Sequence, residues 1–506
     1  MKKLSLTFIA VIAMSICNAQ DITDAVRYSL NEVQGTARFR AMSGAFGALG
    51  GDMSAVSINP AGSAVFSTSH ASVSFASFNR NNEVSYFNGL SNTSDSKFDI
   101  NQAGASFVFK NDNDNSSWNK FVLSIAYDKT ANYDDEWIAS GNNNINSISE
   151  YFLAYAQGLR LDEISAFPGE TIGEAYADIG NFYGFGHQQA FLGYESYILE
   201  PDMNSDDNTL YTTNTGTGGF NQTYNYIATG YNGKFSFNAA AQYQNQLSLG
   251  INVNTHFINY ERATLLDETN NNSDATVSQI QFDNGLLTTG SGVSFQLGGI
   301  LKLHEGMRIG FTYDSPTWYR ITEETTQFLG TVRDDNGSNI SQIIDPNIIN
   351  IYPEYRLRTP GKLTGSLAFI FAKKGLISLD YSRKDYANTE FRPTNDGYFA
   401  FQNEIIRTSL TVANSYRIGG EYRIKQISLR GGYRVEGSPY LDEDIMSDLT
   451  GYSLGLGYSF GDFKLDLSFE RSEQSVSNSL YNIGLTNTAN LDIENTDIIL
   501  SLVFDL

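Results

Sequence analysis

Cysteine is almost missing from this chain: Cys17 is the single copy in 506 residues, and cleavage of the leader described below removes it. No disulfide framework, cysteine zinc site or thiol nucleophile is then left to the mature protein. An acylated lipoprotein cysteine is disfavoured, because Ile16 is bulky where such signals need a small residue. Proline is sparse at 9 copies. Nothing in the sequence reaches the roughly 18 to 20 uninterrupted apolar residues that a spanning helix needs, so a helical membrane protein is excluded. Basic residues are outnumbered, 33 Lys+Arg against 56 Asp+Glu, and a formal net charge of −23 repels nucleic acid and leaves no polybasic membrane-surface patch. His70, His187, His256 and His304 are scattered, none three to five residues from another, so no local metal pair exists. No catalytic residues, no metal site and no cofactor are expected.

What is present is 30 Tyr, 33 Phe and 45 Gly, with Asn or Asp clusters between the apolar runs, the composition of strands joined by polar turns. Residues 1–19 form a secretory leader: Lys2 and Lys3, an apolar stretch from Leu4 to Ile16, and the small ending Asn18-Ala19. From about residue 70 onward, apolar and polar residues alternate. Phe463, Leu465, Leu467 and Phe469 share one face, with Lys464, Asp466, Ser468 and Glu470 on the other. Such units run to about ten residues, enough to cross a bilayer when tilted. Tight connections at 244–246, 302–306, 373–375, 423–426 and 461–462 alternate with long polar stretches expected as loops: 80–100, 130–232, 262–284, 322–360, 389–411, 437–450 and 473–494. Short turns on one side and long loops on the other are the layout of an outer-membrane barrel. The expected fold is therefore all-β: a transmembrane antiparallel β-barrel of about fourteen strands, centred near residues 74, 106, 124, 238, 253, 295, 313, 367, 381, 418, 431, 455, 467 and 501. Its partners are outer-membrane lipid and the barrel-assembly machinery. Ile498, Leu500, Leu502, Phe504 and Leu506 end the chain on one apolar face, similar to the assembly signal of such barrels.

Residues 20–68 do not alternate and are too few for a domain with its own core. Asp24 to Val33 is expected to form one short helix, and the whole segment fits inside the lumen of a fourteen-stranded barrel. On the wall, Arg308, Arg417, Arg430 and Arg434 fall on the polar parity of their strands. Ion pairs that staple the segment to the wall are one account of them; a fork for a carboxylate head group is the other. In the largest loop, Ser147 with Glu150 reads as a capping box, followed at helical spacing by Ile148, Phe152, Tyr155 and Leu159. That apolar face is expected either to pack on neighbouring loops or to lie open as a groove.

Three stretches resemble the FadL/TodX family of hydrophobic-compound channels. The first runs Arg40-Ala41-Met42-Ser43-Gly44-Ala45-Phe46-Gly47-Ala48-Leu49-Gly50-Gly51-Asp52, then Ser57-Ile58-Asn59-Pro60-Ala61-Gly62. The second is Arg308 to Pro316, ending in Tyr313-Asp314-Ser315-Pro316; the third is Leu429-Arg430-Gly431-Gly432-Tyr433 with Ser438-Pro439 after it. They occur in family order across almost the whole mature chain. The resemblance implies a leader (1–19), an N-terminal hatch (20–68) and a barrel (69–506), with Asn59, Pro60, Ala61, Gly50 and Asp52 in the hatch and its gating. It also implies capture of a fatty acid-like molecule by Ile148, Phe152, Tyr155 and Leu159, passive uptake, and exit sideways through the wall. Two other functions stand beside uptake: a binding or shuttle barrel similar to the FadL-related component of Bacteroidota protein secretion, and a receptor for haem or another hydrophobic ligand.

Overall fold

A computed structural model describes residues 20–506 except 114, 336 and 373. The leader expected at 1–19 lies outside the described residues. The fold is a closed antiparallel barrel of fourteen strands. They are β1 (His70–Tyr86), β2 (Gly89–Lys110), β3 (Trp118–Asn132), β4 (Phe220–Tyr243), β5 (Leu247–Thr269), β6 (Val277–His304), β7 (Met307–Asp314), β8 (Lys362–Phe371), β9 (Gly375–Asp385), β10 (Val412–Ile424), β11 (Ile427–Glu436), β12 (Leu449–Ser459), β13 (Phe463–Ser479) and β14 (Thr488–Asp505). Each of the fourteen expected centres falls inside one of them. Closure comes from β1 pairing with β14, in register from His70↔Asp505 to Ser85↔Asn490. A ring without edges satisfies the backbone in a medium that offers no hydrogen bonds.

Alternation sets which face is which. On β13, Leu465, Leu467 and Phe469 are exposed on the outside, while Asp466, Ser468 and Glu470 are buried on the inside. Outward aromatics edge the apolar band, Tyr381, Tyr416, Tyr433 and Tyr452 on one rim, Tyr422, Tyr458, Phe460 and Phe463 on the other. Such girdles sit at the two lipid–water interfaces. The tight turns lie on one side, where positive φ at Gln244, Asn245 and Lys425 reverses the chain.

Several stretches expected as loops are strands. Residues 80–100 form most of a hairpin turning at Phe87 and Asn88, and 262–284 and 473–494 largely prolong β5, β6, β13 and β14. Past the apolar band both faces of a strand meet water, so polar residues no longer mark its end. Pro316 lacks a ladder N–H; there β7 stops and the wall resumes as Trp318–Asp335, still paired with β6. Ser315 bridges the break: its N–H donates to Phe295 O at 2.9 Å and its Oγ accepts from Phe295 N at 2.9 Å.

The first helix is shorter than expected, α1 (Ile22–Arg27) instead of 24–33, with Asp21 as its cap. It is followed by α2 (Ala37–Arg40) and α3 (Met53–Ile58). Above the band, residues 135–219 build a crown with α4 (Ser149–Ala156), α5 (Ile172–Phe182) and α6 (Phe185–Glu195); α7 (Gly397–Ser409) belongs to a later connection. The capping box expected at Ser147 and Glu150 is not formed. Ile148 occupies the cap position, and Glu268 of β5 takes over the role, accepting from Ile148 N at 2.8 Å and from Ser147 Oγ. A wall carboxylate thus satisfies the helix start and ties the crown to the barrel.

Candidate functional site

Residues 20–66 touch inner-face residues all round the ring. On the β4–β6 side, neutral amides hold backbone carbonyls: Asn238 Nδ2 to Pro60 O at 3.0 Å, Asn252 Nδ2 to Val56 O at 2.8 Å, and Gln296 Nε2 to Ser57 O at 2.9 Å. Asn59 is fully buried; its Oδ1 accepts from Ala61 N at 3.1 Å, and its Nδ2 donates to Gly47 O at 2.7 Å. Asp52 caps α3 through Ser54 N and accepts from Thr36 Oγ1 at 2.7 Å. The wall leaves room for Asn59-Pro60-Ala61 by having no side chain there: a Cβ on Gly250 would lie 2.3 Å from the Pro60 carbonyl carbon, and one on Gly298 2.1 Å from Asn59 Oδ1. Gly50 has φ +61°, the left-handed region that favours glycine.

On the opposite side, charges do the fastening. Arg40, 2% exposed, gives Nε to Glu470 at 2.7 Å, Nη2 to Asp497 at 2.5 Å and Nη1 to Gln34 Oε1 at 2.6 Å. Arg38 Nε meets Glu421 at 2.8 Å. The four wall arginines singled out above join these contacts. Arg430 pairs with Glu421 at 2.7 Å and Asp466 at 2.6 Å, Arg434 with Glu470, and Arg417 with Glu436 at 2.9 Å, while Arg308 Nη1 donates to Leu49 O at 2.7 Å.

Between this segment and the crown lies a cavity of about 1350 Å³. Its upper wall is tyrosine: Tyr28, Tyr133 and Tyr260 meet edge to face with centroids 5.4 to 6.4 Å apart, and the Arg27 guanidinium stands 4.5 Å over the Tyr260 ring. Tyr28 and Tyr133 are buried. The four loop-helix residues divide. Ile148 and Phe152 are fully buried in the crown core with Phe282 and Leu266, whereas Tyr155 reaches the cavity beside Phe185; Leu159 lies beyond the helix end and packs on that core.

The start of the described chain closes one corner. Gln20 Nε2 donates to Glu323 Oε2 at 2.5 Å, and Tyr355 OH donates to Glu323 Oε1 at 2.8 Å. Burial, reinforced by nearby Asp24, pushes the Glu323 carboxyl up to about 7. The folded state holds this proton over a pH range in which an unfolded glutamate has lost it. This group's contribution to docking is therefore full below about 4.5 and is lost as pH rises through about 7. We expect the protection factors of amides at residues 20–30, corrected for base-catalysed intrinsic exchange, to be higher at pH 5.5 than at pH 8, and Glu323→Gln to flatten that difference; an equal change in protection in both proteins would contradict it.

The wall beside the cavity contains a seam. The β2–β3 ladder ends at Gln102↔Asp128, and above it β2 is laddered only to β1. The next strand, Asp135–Asn143, pairs with β4 instead. Side chains cross the gap: Lys129 Nζ to Asp99 at 2.7 Å, Lys97 Nζ to Asp134 at 2.6 Å, and Thr93 Oγ1 to Glu136 O at 2.6 Å. Outside it, Phe98 is 70% exposed and stacks on Phe75. Inside it, Phe78, Lys129 and Asp134 line the cavity. The sequence reading missed the seam, because a ladder that stops partway leaves no mark in the alternation. It also missed Tyr260 and Arg262, although both continue the lumen parity of His256 on β5.

These features define the class: a transmembrane β-barrel of outer-membrane type, its lumen occupied by its own N-terminal segment. Among solved structures the particular fold is that of the FadL and TodX channels. A Pseudomonas aeruginosa FadL homologue is similar at TM-score 0.52 and 12% identity, covering 94% of this chain and 99% of that one. The Pseudomonas putida toluene transporter TodX is similar at TM-score 0.50 and 12% identity, covering 94% and 100%. No protein-family profile and no curated protein matches the sequence.

Proposed function

We propose that this protein is a non-catalytic outer-membrane channel for passive uptake of hydrophobic compounds, long-chain fatty acids among them. The supporting observation is the continuity of the tyrosine-walled cavity with the seam, since Phe78, Lys129 and Asp134 belong to both. A hydrophobic molecule enters from the crown past Tyr155 and Phe185, settles in the cavity and leaves sideways between β2 and β3. An aqueous exit is a poor route for a molecule that gains free energy by staying out of water. Residues 20–68 serve as the hatch, with Gly50, Asp52 and Asn59-Pro60-Ala61 as its fixed bend against the wall, and so keep polar solutes from following. The wall arginines brace the hatch, Arg417, Arg430 and Arg434 through ion pairs and Arg308 through the Leu49 carbonyl.

Mild solubilisation followed by native mass spectrometry and lipid extraction tests this. Acyl or aromatic small molecules bound one per barrel are the expected result. A secreted protein recovered on the crown, with an empty cavity, would contradict it and favour a shuttle barrel.

A further inference from the structure

Three arginines stand in one row on the outer face of the wall. The segments Trp318–Asp335, Tyr355–Arg358 and Glu390–Arg392 lie side by side; Arg320 is in register with Arg356, and Arg356 with Arg392. Tyr319, Ile321, Tyr355, Leu357 and Phe391 around them are buried, so alternation turns all three guanidinium groups outward. Arg358 joins them on the same face, opposite Trp318. Like charges directly opposite each other destabilise a ladder. The one carboxylate among them, Glu390, accepts from Arg392 at 2.8 Å and lies 3.9 Å from Arg358. Among the described residues, Arg320 and Arg356 have no side-chain hydrogen bond and no carboxylate oxygen within 4 Å. In a chain of net charge −23 such a row stands out. Elsewhere on the rim the wall is acidic, with Glu473 opposite Glu494 and Asp492 opposite Glu83. The arginine there, Arg471, is held by Glu473 at 3.1 Å and Glu494 at 2.5 Å.

The row lies at the depth of lipid head groups. Trp318 is exposed on the outside and stacks on Phe295 with ring centroids 6.4 Å apart, and tryptophan marks the lipid–water interface. Arg320 is two residues further up the strand, about 7 Å at roughly 3.3 Å per residue. Lower down, the lipid-facing surface is notched. Gly365 on β8 is in register with Phe311 on β7 and Tyr381 on β9, both exposed, and a Cβ there would meet nothing within 4 Å. Cations above and an apolar notch below fit a molecule with a phosphate at one end and acyl chains at the other.

We propose that this row is a docking site for a phosphorylated lipid of the outer leaflet, its phosphate held by Arg320 and Arg356 and an acyl chain laid along the notch at Gly365. Guanidinium forks match phosphate oxygens in pairs, and a phosphate between two facing arginines removes their repulsion. The site is on the outside of the wall and is independent of what the cavity carries.

The test uses the purified full barrel in detergent micelles with diphosphoryl lipid A, the same lipid stripped of its phosphates, and inorganic phosphate, read by native mass spectrometry. Wild type is expected to keep the phosphorylated lipid on the order of tenfold better than the stripped one, the factor one charge-assisted bond carries. The Arg320→Gln, Arg356→Gln protein loses that preference, and Arg320→Lys, Arg356→Lys restores part of it. Gly365→Leu, which fills the notch, weakens retention of both lipids, whereas Arg471→Gln on the acidic part of the rim changes neither. Equal retention of the two lipids by wild type, or a preference that the double glutamine protein keeps, overturns the site. Displacement of the lipid by inorganic phosphate, together with undiminished retention in Gly365→Leu, would make this a free-phosphate site and overturn the lipid.

Discussion

Replacing Arg40 by Leu is expected to loosen the N-terminal segment and open the barrel to small polar solutes. The guanidinium is 2% exposed and contacts Glu470, Asp497 and Gln34. Its loss leaves Asp497 without a cation and Glu470 with Arg434 alone. Breaking a buried pair by removing one partner costs about 3–5 kcal/mol, because the remaining charge is left without compensation. The strands keep their ladders, so the barrel still inserts and the loss falls on the segment it holds. The neutral amide contacts from Asn238, Asn252 and Gln296 remain, so the segment swings on that side. Proteoliposomes carrying Arg40→Leu are expected to swell several-fold faster in a small sugar than those carrying the native protein. Unchanged swelling would mean that these charges do not hold the segment.

The barrel was legible because lipid enforces a period of two on every wall strand: one face must be apolar and the other polar. That rule let Phe463 to Phe469, and each of the other strands, be read directly. It stops at the headgroups, so the prolongations of β5 and β6 passed for loops. The alternation places Arg308, Arg417, Arg430 and Arg434 on the polar parity of their strands, but parity gives a face and not a partner. Glu436 reaches Arg417 from the neighbouring strand and Arg434 from the same one, while Glu470 and Asp466 reach Arg434 and Arg430 from β13 across β12, and only the register shows it. The loop helix shows the same limit. Its spacing set an apolar stripe, yet what covers Ile148 and Phe152 is Phe282 on β6, far away in sequence. Ser147 was read as a cap because Glu150 follows it, while the group that performs that task, Glu268, comes from the wall.

Hydrophobic cargo is proposed to leave through the seam between β2 and β3. Lys97 and Asp134 cross it directly, and Cys17, within the expected leader, is the single cysteine of the sequence. A Lys97→Cys, Asp134→Cys protein joined by a short bis-thiosulfonate reagent would hold the seam shut without touching the hatch, and the Asp134→Cys protein alone controls for the loss of that cavity-lining carboxylate. Uptake of a labelled long-chain fatty acid by cells bearing this protein is the direct measurement. The account predicts that bridging reduces uptake to the level of cells lacking the barrel, and that a reducing agent restores it, while each single-cysteine protein treated alike stays active. Full uptake through the bridged barrel would contradict lateral exit and point to a path past the N-terminal segment instead.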